Sequence, residues 1–170
     1  MAQTEELRFI VDANAGKLAG WLRMMGYNTL FFNFGQDGEM IKIATEENRI
    51  IVTRDTRIME RRVVKTGAVR AVLLTTDNPS KQMRQLFASI DIQVDFRPFS
   101  LCISCNQLLI KVAKEHVREK VPAYVYKTQD VFYCCQNCER IFWRGTHWQA
   151  MKQLLNEWRG LDVSNRQLPN

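Results

Sequence analysis

"RIIVTRD", residues 49–55, sets four β-branched residues between two arginines and closes on an aspartate. Ile50, Ile51, Val52 and Thr53 favour an extended strand. The run does not alternate apolar with polar, so the strand it predicts is covered on both faces, as in a parallel sheet. The same plan recurs on either side. "LRFIV" (7–11) ends at Asp12 and precedes "GKLAGWLRMMG" (16–26), where Leu18, Leu22 and Met25 keep helical spacing and Gly26 is a stop. "NTLFF" (28–32) precedes "DGEMIKIATEEN" (37–48), which opens on a capping-type Asp37 and places Met40, Ile41 and Ala44 on one face. After Asp55 come a helix "TRIMERRVVKT" (56–66) and a strand "VRAVLLTT" (69–76) ending at Asp77. A helix "PSKQMRQLFAS" (79–89), opened by Pro79, and a fifth strand "IQVDF" (92–96) complete the series. Strands alternating with helices predict an α/β domain over residues 1–98, a three-layer arrangement around a mostly parallel sheet.

Parallel sheets bind ligands beyond the carboxyl ends of their strands. Asp12, Asp55 and Asp77 each follow a predicted strand, so all three are expected at that rim, and Asp37 can point there too. Hard divalent cations such as Mg²⁺ and Mn²⁺ take carboxylate oxygens and bridge to phosphates, and paired ions support hydrolysis by in-line displacement. Each aspartate also has a structural reading. Asp37 and Asp55 precede helices and suit N-caps, and Asp77 in "TTDNPS" suits a turn. Asp12 is different, because the next helix begins only four residues later. A phospho-acceptor receiver domain adds a second acid at its first site, and a haloacid-type phosphatase needs Asp-x-Asp after the first strand. Asp12-Ala13-Asn14 matches neither.

All five cysteines fall in "FSLCISCNQLL" (99–109) and "FYCCQNCERIFWRGTHW" (132–148). Cys102 and Cys105, then Cys135 and Cys138, form two Cys-x-x-Cys pairs, the spacing of a structural tetrahedral zinc site. Cys134 competes with Cys135 for one ligand position; the spacing favours Cys135. These residues predict a zinc ribbon over 99–160 that ends in a helix at "HWQAMKQLLNEW" (147–158), then a frayed tail over 161–170.

The chain has 170 residues, 46% of them hydrophobic, enough for one core and a small appendage. Its net charge is +6; residues 1–98 hold 14 basic against 12 acidic side chains, and 99–170 hold 10 against 6. An acidic rim in a basic surround suits a substrate whose phosphates need a metal and a landing surface. Candidates for phosphate or base contact are Lys17 and Arg23 on the first helix, Arg54 beside Asp55, and Arg57 and Arg61, which share a face with Lys65 if 56–66 is one helix. Arg140, Arg144 and His147 interleave with Phe142, Trp143 and Trp148 in the ribbon, a mixture suited to single-stranded nucleic acid. The first residues lack the basic and apolar regions of a signal peptide, and no stretch approaches the ~18 apolar residues of a membrane span. Free cysteines at metal spacing then point to the cytoplasm, with no membrane partner.

With both motif sets in place, the chain resembles the Mut-seven C-terminal RNase domain family, a PIN-like nuclease domain followed by a zinc ribbon. The matching stretches are "VDANAGKLAGWLRMMGYNT", "DGEMIKIATEENRIIVTRD", "FSLCISCNQLL" and "VPAYVYKTQDVFYCCQNCERIFWRGTHW", in family order from about residue 9 to 148. The resemblance implies a metal-dependent ribonuclease with Asp12, Asp37 and Asp55 at the acidic positions, Asp77 as a looser match, and zinc on Cys102, Cys105, Cys135 and Cys138. Gly20 stands where family members often carry a basic residue. No exonuclease domain precedes the PIN-like part of this sequence, so the resemblance implies action alone or with a recruited partner. The expected function is hydrolysis of single-stranded or structured RNA with Mg²⁺ or Mn²⁺, the ribbon assisting RNA binding. The alternative is a non-catalytic RNA-binding module with a structural zinc ribbon. Nothing in the sequence specifies an oligomeric state.

Overall fold

In a computed structural model the chain is described from Glu6 to Arg166, and its side chains to Leu161. Four parallel strands, β1 (Phe9–Asp12), β2 (Thr29–Phe32), β3 (Ile50–Thr53) and β4 (Ala71–Leu73), lie in the order β2-β1-β3-β4. In register, Val11 stands between Phe31 of β2 and Val52 of β3. The unbroken apolar runs are explained by cover on both faces. Phe9, Val11, Ile50, Val52 and Val72 point into one core with α1 (Gly16–Met24) and α5 (Pro79–Ser89). Ile10 and Ile51 point the other way, onto Met40 and Ala44 of α2 (Asp37–Glu46) and Ile58 of α3 (Thr56–Met59). Period-two alternation therefore sorts each strand between two apolar layers.

The helix expected over 56–66 is two short pieces, α3 and α4 (Arg62–Lys65), because the backbone at Arg61 is extended. On one straight helix, Ile58 and the Val63–Val64 pair would face different ways, five and six residues apart at about 100° per residue. The break lets both reach the same core. Arg57, Arg61 and Lys65 consequently do not share a helix face.

The fifth strand expected over 92–96 does not form. Ile92 and Val94 are buried as the alternation requires, but their segment crosses the end of α1 instead of pairing with β4. The Tyr27 hydroxyl donates to the Gln93 carbonyl and accepts from the Gln93 amide, and the Tyr27 ring stacks on Phe96. The Arg97 and Phe99 amides then donate to Met25 and Met24. Gly26, at φ +92°, makes this crossing possible, since a Cβ there would lie 2.4 Å from the Arg97 carbonyl oxygen.

Beyond it, β5 (Leu109–Val112), β6 (Phe132–Cys135) and β7 (Ile141–Phe142) form an antiparallel sheet in that order. Phe132 packs in a small core with Val117 and with Val125 of α6 (Ala123–Thr128). The last helix, α7 (Thr146–Arg166), is longer than the sequence suggests: residues 161–166, expected as frayed tail, are helical, and 167–170 lie outside the described residues. Leu155 and Trp158 of α7 are buried in the core of the parallel sheet, and Leu161 packs against it. The helix that follows the ribbon in sequence thus closes the first unit in space.

Candidate active site

Asp12 ends β1, one of the two central strands. Its Oδ2 accepts from the Thr53 hydroxyl at 2.7 Å and from Asn14 Nδ2 at 3.0 Å, while Oδ1 accepts from the Ala13 amide at 2.7 Å. Thr53 ends the neighbouring strand β3, is fully buried, and also accepts from the Asp55 amide at 3.0 Å. Asn14 in turn accepts from the Arg54 amide at 3.1 Å. Three side chains from two adjacent strand ends therefore fix Asp12 and Asp55 relative to each other. Asn14 and Thr53 were missed in the sequence. Thr53 sits in a β-branched run and reads as a strand former, and only its place before "RD" distinguishes it.

Asp55 caps α3 by accepting from the Arg57 amide at 2.8 Å, and Arg57 chelates the same carboxylate through Nε and NH2. The side-chain bonds from Arg57, then its backbone bond, hold the Asp55 carboxyl below the usual carboxylate range. Asp37 is the first residue of α2 and not its cap: Gln36 takes that place in a reciprocal pair with Glu39. This leaves the Asp37 carboxylate to Arg61, 4.0 Å away. Asp77 is exposed in the turn before α5, whose cap is Asn78. Asp12, Asp37, Asp55 and Asp77 all follow the carboxyl ends of parallel strands. Among the described residues, no three carboxylates have oxygens within 4.8 Å of one another. Asp55 and Asp37 meet arginines. The donors, carboxylate oxygens with an amide and a hydroxyl behind them, are those a hard divalent cation takes.

The cysteines behave differently. The sulfurs of Cys102, Cys105, Cys135 and Cys138 all lie within 4.8 Å of one another. Cys102 and Cys138 are 3.6 Å apart, and Cys105 and Cys135 3.2 Å. Zinc–sulfur bonds of about 2.3 Å in a tetrahedron put sulfurs roughly 3.8 Å apart, so this set fits one zinc ion. The two knuckles share one geometry. The Cys102 amide donates to Gln107 and the Cys135 amide to Arg140, and each turn passes through a left-handed residue, Asn106 or Glu139. Cys134 is outside the cluster, because neighbours on a strand point to opposite faces. Burial pushes the Cys102 thiol up to about 12. Burial also raises Cys105, but hydrogen bonds from Cys135, Cys102 and Asn137 outweigh it and bring that thiol to about 6.

The basic candidates separate. Arg54, Arg57 and Arg61 are exposed beside the acidic rim. Arg140 bonds the Ser104 hydroxyl of the opposite knuckle, and Arg144 lies over the Trp148 ring. Lys17 is exposed over Trp21, and His147 is exposed in the first turn of α7. Arg23 stands apart from the other basic candidates. It is 7% exposed, and it donates to the carbonyls of Thr29, Ile103 and Ser104 at 2.9–3.0 Å. Its guanidinium fastens the first cysteine knuckle to α1. Beside it, Asn106 accepts from the Thr29 amide and donates to Asn28. The knuckle is therefore anchored at the start of β2, the opposite end of the sheet from Asp12.

Among the described residues no helix is long and apolar enough to cross a membrane. No curated protein and no solved structure matches the chain. Residues 7–155 match the family model described as Mut7-C RNAse domain, a span that takes in the aspartate rim and all four clustered cysteines, and the chain belongs to that family.

Proposed function

We propose that the protein is a ribonuclease that hydrolyses RNA phosphodiester bonds at the rim of the parallel sheet, with Mg²⁺ or Mn²⁺, in the reducing cytoplasm. The observation that carries this is the Asp12–Thr53–Asp55 linkage, in which one buried hydroxyl ties the Asp12 carboxylate to the Asp55 backbone amide at adjacent central strand ends, in a chain of an RNase family. Asp12, Asp55 and Asp37 would hold the divalent cation, with Asp77 at the margin. Bound there, such a cation supplies the Lewis acidity that phosphodiester hydrolysis needs. Thr53 and Asn14 keep the Asp12 carboxylate aimed. Arg57 and Arg61 counter the carboxylates, and with Arg54 they offer guanidinium groups to the incoming phosphates. Zinc on the four cysteines holds the ribbon that carries Arg140, Arg144 and His147 as further RNA contacts.

End-labelled RNA incubated with purified protein, with Mn²⁺, with Mg²⁺ or with no added divalent cation, tests the reading. Cutting is expected only with added metal, and it should be lost in Asp12→Asn and Asp55→Asn. RNA that is bound but never cut would establish the non-catalytic binding module instead.

A further inference from the structure

A groove of about 740 Å³ runs along α1, between that helix and α7. One end opens at Gly16 and Asn78, which adjoin the Asp12 turn and Asp77; the other reaches Ser104 between the first two cysteines. It joins the acidic rim to the zinc knuckle along the nine residues of α1, about 13 Å. Its lining is unlike the rim. No aspartate or glutamate contributes, whereas Lys17 and Arg23 of α1 and His147 of α7 all line it. Phe31, 38% exposed, offers a ring, and Asn78 and Ser104 offer hydrogen-bonding groups. At the start of α7, Trp148 has Arg144 from the preceding turn and Lys152 from the helix over its ring, two further positive charges beside His147.

We propose that this groove is a subsite that holds unpaired nucleotides of the strand being cut. This rests on the ribonuclease reading above. A cation at the rim end for phosphate, an open aromatic face for a base, and amide, hydroxyl and imidazole groups for base edges and 2′-hydroxyls are the parts single-strand recognition uses. The volume lies within the roughly 300–1,000 Å³ of small-ligand clefts, which admits a few nucleotides and no duplex. With Gly16 and Asn78 at one end of the groove, a strand leaving there emerges beside the turns that carry Asp12 and Asp77.

Gly20 makes the test clean. It lies midway along the groove, and a Cβ added there meets no atom within 4 Å. Gly20→Phe therefore starts its side chain in open space and directs a ring into the groove, and Gly20→Ala leaves the groove open. Both remove a mid-helix glycine, so neither should lower the melting temperature. Binding of a short fluorescent oligouridylate is measured by anisotropy without added divalent cation. Gly20→Ala is expected to match wild type, and Gly20→Phe to bind at least about tenfold more weakly. Lys17→Ala, an exposed change, should weaken binding and lower the salt slope by about one. Wild-type affinity in Gly20→Phe, or equal wild-type affinity for a duplex, overturns the groove. If the wild type still cuts RNA in that case, the ribonuclease reading stands. A wild type that neither binds nor cuts overturns both. A Gly20→Phe protein that melts early passes the decision to Lys17→Ala, whose unchanged affinity and salt slope would overturn the groove.

Discussion

Replacing Thr53 by valine keeps the buried shape and removes only the hydroxyl that donates to Asp12 and accepts from the Asp55 amide. Asp12 retains Asn14 and the Ala13 amide but loses the bond that aims it across the strands. Thr53→Val is expected to cost about 1–2 kcal/mol in urea unfolding. RNA cleavage should fall about tenfold or more in kcat with little change in KM, the signature of lost positioning. Unchanged kcat would remove Thr53 from the positioning role. Asp12, Asp55 and Asp77 were legible in the sequence because each closely follows an apolar run, and Asp37 because it opens a helix. Their polar partners were not, since Asn14 and Thr53 gain meaning only when two strands 41 residues apart lie side by side.

At the scale of elements, α7 shows what order along the chain conceals. In sequence it is the end of the ribbon, yet Arg159 bonds Asp95, in the crossing that follows α5. The Arg159 hydrogen bonds hold the Asp95 carboxyl below the usual carboxylate range. A depressed folded pKa gives stability that is fully present above the unfolded value, about 3.9. That stability disappears as pH falls through the folded value. Arg159→Ala should therefore melt lower than wild type at pH 7, by less than about 1 kcal/mol for so exposed a pair. The two curves should converge as pH drops below the carboxylate range. A difference that persists in acid would show that Arg159 acts through packing. The broken α3–α4 helix and the missing fifth strand belong to this scale as well. Alternation marked Ile92 and Val94 correctly as buried, but burial does not name the partner of the backbone, and Tyr27 supplied it.

In the whole molecule, the two units meet through a charged side chain. Arg23 donates to one carbonyl of β2 and two of the first knuckle, bridging 80 residues of sequence. Arg23→Met is expected to destabilise the protein by about 2–4 kcal/mol, because the knuckle carbonyls lose a charged donor. Arg23→Lys should rescue little of this, since an ammonium cannot reproduce the planar fork. The same variants should release zinc faster to a chromophoric chelator at fixed pH. Melting and zinc release identical to wild type would mean that Asn106 alone holds the knuckle. These bonds anchor the ribbon at the start of β2, the end of the sheet away from Asp12.

The sequence by itself determined the parallel α/β domain, the aspartates at its strand ends and the four-cysteine cluster. These rest on local repeats and short spacings that a chain carries wherever it folds. The tertiary structure alone decided that Arg23 is buried, that α7 completes the core of the first unit, and that Lys17 and His147 share a groove. Each depends on which distant segment returns to cover a surface. Desolvating a guanidinium or an indole is favourable only when that segment brings carbonyls or apolar area to meet it, and no periodicity along the chain records which segment that is.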